Sequence, residues 1–167
     1  MQFAEQREIK AEPVVVWNGL LDPLILMGCL PGCESMTGSP EAGYEAVVMR
    51  RLGPLKVRFS GRITLTDMVP GRSLNIRGEG GGGPVGLVKG GAKIGLTATR
   101  AGTLLDYVVD AELEGRLAHL APALIEAVAK RMADGFFERF SGQVEERPPG
   151  VEPPEVEKKG WLGRLIG

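Results

Sequence analysis

Leu55-Lys56-Val57-Arg58-Phe59-Ser60-Gly61-Arg62-Ile63-Thr64-Leu65-Thr66 is the stretch that decides the fold class. Leu55, Val57, Phe59, Ile63 and Leu65 fall on one side of an extended chain, and Lys56, Arg58, Arg62 and Thr64 on the other. Such alternation predicts a strand with one face covered and one in water. The pattern continues outward in both directions. Upstream, Tyr44 to Leu52 leads into a Gly53-Pro54 turn, and Gln2 to Lys10 reads as an amphipathic first strand. Downstream, Pro70-Gly71 turns the chain into Ser73 to Arg77, with Leu74 and Ile76 inward. Ala92, Ile94, Leu96 and Ala98 alternate again, and Ala101-Gly102 turns into Leu105, Tyr107, Val109, Ala111 and Leu113. Short turns between successive strands predict an antiparallel meander.

Helices frame the strands. Pro13 after Glu12 opens a short helix over Val14 to Leu21, and Asp22 caps a second over Asp22 to Leu30. Pro31-Gly32 ends that unit, and Gly38 to Gly43 reads as a turn. After Glu114 the period changes: Leu117, Leu120, Leu124, Val128, Met132, Phe136 and Phe140 recur every three or four residues. The main helix is therefore expected from Pro122 to about Gln143, its apolar stripe laid on the covered face of the meander. The fold class is α+β. Residues 1–143 form the domain, 144–157 a linker rich in Pro and Glu, and 158–167 an amphipathic tail.

Composition narrows the function classes. The chain has 167 residues, 43% of them hydrophobic, enough for one globular core. Lys+Arg 20 against Asp+Glu 21 gives a net charge of -1, which leaves no basic field for nucleic acid. Asn18 and Asp22 interrupt the most apolar run, Pro13 to Leu30, and charges at Glu5, Arg7 and Glu8 stand where a signal peptide has its apolar core. Cys29 and Cys33 read as reduced thiols, with a labile redox pair as the alternative. One His and two Cys give no recognisable metal-ligand spacing.

Gly is over-represented, 25 of 167 residues against roughly 7% in ordinary chains. Much of it lies in Gly78-Glu79-Gly80-Gly81-Gly82-Gly83-Pro84-Val85-Gly86-Leu87-Val88-Lys89-Gly90-Gly91. Gly78, Gly80 and Gly83 satisfy a dinucleotide-binding spacing, but Pro84 and a strand pattern follow where that motif needs a helix. Two readings remain, a flexible hairpin and a curved wall that leaves room for a ligand. Met27, Leu30, Phe59, Ile63, Gly91, Ile94, Tyr107, Leu124, Val128 and Met132 are the expected cavity residues. Met27 and Leu30 would act as a lid, and Tyr107 would offer a hydroxyl. His119, the only imidazole, has no nucleophile or acid at a recognisable spacing, so no catalytic set is expected.

The tail has its own chemistry. On a helix Trp161, Leu162, Leu165 and Ile166 form one apolar patch, while Lys158, Lys159 and Arg164 reach lipid phosphates. Burying four such side chains is worth roughly 6–10 kcal/mol before ordering costs. A groove on a partner protein, or the chain's own domain, would serve the same patch.

The order strand, helix-helix, meander, long helix resembles the helix-grip fold of the START-like (SRPBCC) superfamily. Leu30-Pro31-Gly32-Cys33-Glu34-Ser35, Phe59-Ser60-Gly61-Arg62-Ile63, the Gly78 to Gly95 tract, Thr103-Leu104-Leu105-Asp106-Tyr107, Gly115-Arg116-Leu117-Ala118 and Phe136-Phe137-Glu138-Arg139-Phe140 narrow this. Together they resemble the family of the carbon monoxide dehydrogenase G subunit, over Met1 to about Phe140. The resemblance implies a cytoplasmic, non-enzymatic accessory protein of a molybdenum hydroxylase-type dehydrogenase. It would attach peripherally to the inner face of the cell membrane and bind a quinone in the grip cavity. The alternative is a START-like cyclase or lyase using His119 or Tyr107 as acid or base.

Overall fold

A computed structural model of the chain describes residues 1–145. Of the expected linker, 144–157, Val144 and Glu145 instead end α3, with Val144 buried, and the rest, together with the tail residues Lys158, Lys159, Trp161, Leu162, Arg164, Leu165 and Ile166, lies outside the described residues. The element order is β1 (Gln2–Ile9), α1 (Pro13–Leu21), α2 (Pro23–Cys29), β2 (Cys33–Ser39), β3 (Gly43–Leu52), β4 (Leu55–Val69), β5 (Ser73–Gly81), β6 (Leu87–Ala98), β7 (Thr103–Glu114) and α3 (Pro122–Glu145). The strands form one antiparallel seven-stranded sheet in the order β1-β7-β6-β5-β4-β3-β2, curved around α3. Only the β1–β7 pairing is non-sequential, and it brings the chain's start beside its last strand.

The helix starts follow the expected chemistry. Asp22 accepts a hydrogen bond from the Leu24 amide at 2.9 Å, with Pro23 in the first turn of α2. Pro13 opens α1 with no side-chain cap. The Tyr44 hydroxyl donates to the Leu21 carbonyl at 2.7 Å and ties the end of α1 to β3. Thr103, buried, donates to the Ala11 carbonyl at 2.6 Å and closes the β1–α1 corner.

Two sequence expectations change. Residues Cys33–Ser39 form a strand, β2, that the sequence pattern does not predict; it predicts only a turn, at Gly38 to Gly43, after the end of the helical unit at Pro31-Gly32. The turn itself is confined to the residues between Ser39 and Gly43. The glycine tract is also strand rather than a loose hairpin: β5 continues to Gly81 and β6 begins at Leu87, joined by a 3₁₀ turn over Gly83–Val85.

Three apolar clusters sit on the concave face. The largest joins Leu74, Leu96, Leu105 and Tyr107 of the sheet to α1, α2 and the C-terminal half of α3, where Phe140 and Val144 are fully buried. A second, around Val57, Leu117 and Val128, closes the N-terminal end of α3. A third, around Met36, Tyr44 and Ala46, lies beneath α2. Between them the sheet and the N-terminal half of α3 border an open space.

Candidate functional site

The space between the clusters is a cavity of about 450 Å³, within the range of small-molecule sites. Its roof is the N-terminal half of α3, through Ile125, Val128, Ala129 and Met132, with Leu30 from the end of the α2 unit. Its floor is the sheet, and the register explains why there is room. Inward positions of neighbouring strands line up as Ala46, Gly61 and Gly80 in one row, and as Gly78, Gly90 and Ala111 in the next. Six adjacent inward positions thus carry at most a methyl group. Phe3, Val48, Phe59, Ile63, Ile76 and Val109 surround that patch with full-sized apolar side chains.

At Gly80 an added Cβ would meet nothing closer than 3.7 Å, and at Gly78 nothing closer than 3.8 Å. A side chain there would fit the strand and project into the cavity. Gly90 differs, because a Cβ would lie 2.3 Å from the Asp110 carbonyl oxygen, so this position also sets the close approach of β6 to β7.

The expected site residues divide. Leu30, Phe59, Ile63, Gly91, Val128 and Met132 border the cavity. The alternation that sends Ala92 inward turns position 91 to the convex face, where a Cβ would lie 3.6 Å from Arg77 Nη1. Gly91 therefore contributes backbone, and the free volume comes from Gly61, Gly78, Gly80 and Gly90. Met27, Ile94 and Leu124 are packed into the three surrounding clusters rather than lining the space. Arg50, Val48, Phe3 and Ile125 line it and were not expected; the inward alternation Tyr44, Ala46, Val48, Arg50 was the available signal.

Tyr107 does not present its hydroxyl to the cavity. It donates to Glu5 Oε1 at 2.8 Å, within a group that joins β1 to α3. Arg7 pairs with the same carboxylate and with Asp134 Oδ1 at 2.8 Å, and lies 5.0 Å from the centre of the Phe137 ring. The hydrogen bonds from Tyr107 and Arg7 hold the Glu5 carboxyl below its ordinary range, while burial and the bond to Glu5 push the Tyr107 phenol up. A phenol so held is a weak acid. His119 is exposed at the end of a 3₁₀ turn over Gly115–His119 and does not line the cavity.

Burial pushes the Cys29 thiol up to about 11, and Cys33 also lies above its ordinary value. Both are free thiols. Among the described residues no three His, Cys, Asp or Glu side chains converge to hold a metal ion, and no helix is long and apolar enough to cross a membrane.

A curved antiparallel sheet closed over one long helix, with an apolar cavity between them, defines a START-like helix-grip protein. Within that class the chain belongs to the CoxG family, that of the carbon monoxide dehydrogenase G subunit, whose model it matches over residues 6–145. Solved structures repeat the fold. A conserved protein of Geobacillus kaustophilus is 28% identical, with TM-score 0.81 over 87% of this chain and 96% of that one. A Rhizobium leguminosarum protein is 12% identical, with TM-score 0.68 over 88% and 95%. A Chromobacterium violaceum protein is 19% identical, with TM-score 0.62 over 86% and 97%. No curated protein matches the chain.

Proposed function

We propose that this chain is a non-enzymatic accessory protein that binds a hydrophobic ligand, a quinone, between sheet and helix. Through its tail it recruits a molybdenum hydroxylase-type, carbon monoxide dehydrogenase-like enzyme to the inner membrane, so that electrons reach the quinone there. The observation that carries the ligand reading is the double row Ala46-Gly61-Gly80 and Gly78-Gly90-Ala111. Glycine in a strand costs roughly 0.5–1 kcal/mol relative to Ala, and here several are spent to keep a volume open beneath an apolar roof. An isoprenoid quinone suits such a space, since each buried CH₂ contributes about 0.8 kcal/mol. The family's name supports the dehydrogenase partner. Basic residues flanking Trp161 support a surface contact with anionic lipid, each worth about 1 kcal/mol.

Native mass spectrometry after incubation with a membrane lipid extract, followed by organic extraction, tests the ligand. One quinone per wild-type chain and none on a folded Gly80→Leu variant is the expected pair of results. Equal loading of the two would place the quinone elsewhere, and no loading of either would reduce the grip to a scaffold. Deleting Trp161 to Gly167 should move the protein from the membrane fraction to the supernatant; unchanged partitioning sinks the tail claim.

A further inference from the structure

Arg50 is the one charged residue that the strand alternation turns inward at the cavity, among the described residues. It follows Tyr44, Ala46 and Val48 on the concave face of β3 and stands opposite the buried Val57 of β4. The other charged residues that border the space occupy outward strand positions. Of these, Arg62 pairs with Glu45 at 2.6 Å and Lys89 with Glu114 at 3.2 Å, both on the wet face.

The Arg50 side chain is held in place. Its Nη1 donates to the Pro31 carbonyl at 3.3 Å. Pro31 in turn is wedged against α3, where a Cβ on Gly135 would lie 3.0 Å from its Cγ. On the strand side, the Met49 amide donates to the Gly32 carbonyl at 2.8 Å. Gly32 adopts φ +84, and a Cβ there would strike the Met49 carbonyl, so the loop lies flat on Arg50. Arg50 borders the cavity, and a cationic donor binds an oxygen acceptor about twice as strongly as a neutral one.

We infer that Arg50 anchors the head of the ligand: its guanidinium, at the border of the cavity, donates to an oxygen at one end of a molecule whose apolar body lies over the glycine rows. The site thus selects apolar molecules that carry a carbonyl or carboxylate oxygen at one end, against hydrocarbons of the same shape. This rests on the cavity reading above and adds orientation to it. The head faces Pro31 and the end of β3, and the body runs toward Gly78 and Gly90.

Calorimetric titration of the full chain with three probes tests the anchor. The probes are 2,3-dimethyl-1,4-naphthoquinone, dodecanoate and the oxygen-free 2,3-dimethylnaphthalene. In Arg50→Met, affinity for at least one oxygen-bearing probe should fall about ten- to hundredfold, with the hydrocarbon unchanged. Loss for the quinone identifies a ring carbonyl as the head, and loss for dodecanoate a carboxylate. Arg50→Lys, which keeps the charge without the planar guanidinium, should lose affinity in the same direction and serves if the Met variant does not fold. Equal affinities in wild type and variants, or equal losses for all three probes, would overturn the anchor while leaving the cavity reading intact. Wild-type protein that binds none of the probes would overturn both.

Discussion

Arg7 Nη2 of β1 lies 2.8 Å from Asp134 Oδ1 of α3, and through that pair the first strand holds the last helix. Glu5 and Lys130 complete the link, Lys130 reaching Glu5 at 3.6 Å and Asp134 at 3.5 Å. Burial works against the Arg7 charge, but the bonds to Asp134 and Glu5 outweigh it and keep the guanidinium firmly protonated. Arg7→Met should cost about 1–2 kcal/mol, from screened ion pairs together with the cation–π contact to Phe137.

The pH dependence of that loss has a definite sign. Hydrogen bonds from Tyr107 and Arg7 hold the Glu5 carboxyl, and one from Arg7 holds the Asp134 carboxyl, below their ordinary values of 4.5 and 3.8. Their stabilisation is therefore complete above those values and is lost as pH falls through the lower, folded-state values. Urea unfolding of wild type and Arg7→Met should differ most at neutral pH and converge below about pH 3. A difference that grows in acid would mean that the carboxylates do not carry the contact.

Glycines of the cavity floor should respond in opposite directions to one added methyl group. A Cβ on Gly80 would meet its nearest neighbours at 3.7 Å, an ordinary contact, so Gly80→Ala should be neutral or stabilise by up to about 1 kcal/mol. A Cβ on Gly90 would lie 2.3 Å from the Asp110 carbonyl oxygen, so Gly90→Ala must push β6 from β7 and should cost about 1–3 kcal/mol. Thermal melts of the two variants read this directly. Equal effects would show that the inter-strand spacing at Gly90 is not tight.

The contrast between Gly80 and Ile63 also shows what the sequence could tell. Strands with large inward residues, such as Leu55 to Leu65, were legible from alternation alone, and the amphipathic stripe gave α3 to within two residues of its end at Glu145. Where the inward residues are glycines, as from Gly78 to Gly90, alternation vanishes because both faces look alike, and two strand ends disappear with it. Strand β2 was hidden for a related reason: in Cys33–Ser39 only Met36 is buried, so no period emerges. Cavity residues were legible as a set of inward positions but not as a lining. Ile94 and Leu124 share the inward face with Ile63 and Val128, and only the position of the helix over the sheet decides which of them border space.

Thiol reactivity should separate the two cysteines. Cys29 is fully buried, and with a thiol pushed to about 11 it holds almost no thiolate at neutral pH. Cys33 is partly exposed, its Sγ donating to the Ser35 carbonyl at 3.3 Å. A maleimide at pH 7 should add slowly, one equivalent per folded chain at Cys33, and two in denaturant. Rapid addition of two to the folded protein would show that the α2 end opens readily.

The packing of α1 on α3 depends on a missing side chain at Gly19. A Cβ there would lie 3.0 Å from Val144 Cγ1 and 3.1 Å from the Phe140 ring, both residues fully buried. In an isolated helix Gly→Ala gains close to 1 kcal/mol, whereas crowding a packed core costs about 1–3. The crowding should win, so Gly19→Ala lowers stability by about 1 kcal/mol. Val144→Ala alone should cost about 1–2 kcal/mol through lost burial, yet it also frees the space that the new methyl needs. The double variant should therefore be more stable than the sum of the two losses, with a coupling of about 0.5 kcal/mol or more in a denaturation cycle. Strict additivity would mean that Phe140, rather than Val144, is the residue that resists the methyl group.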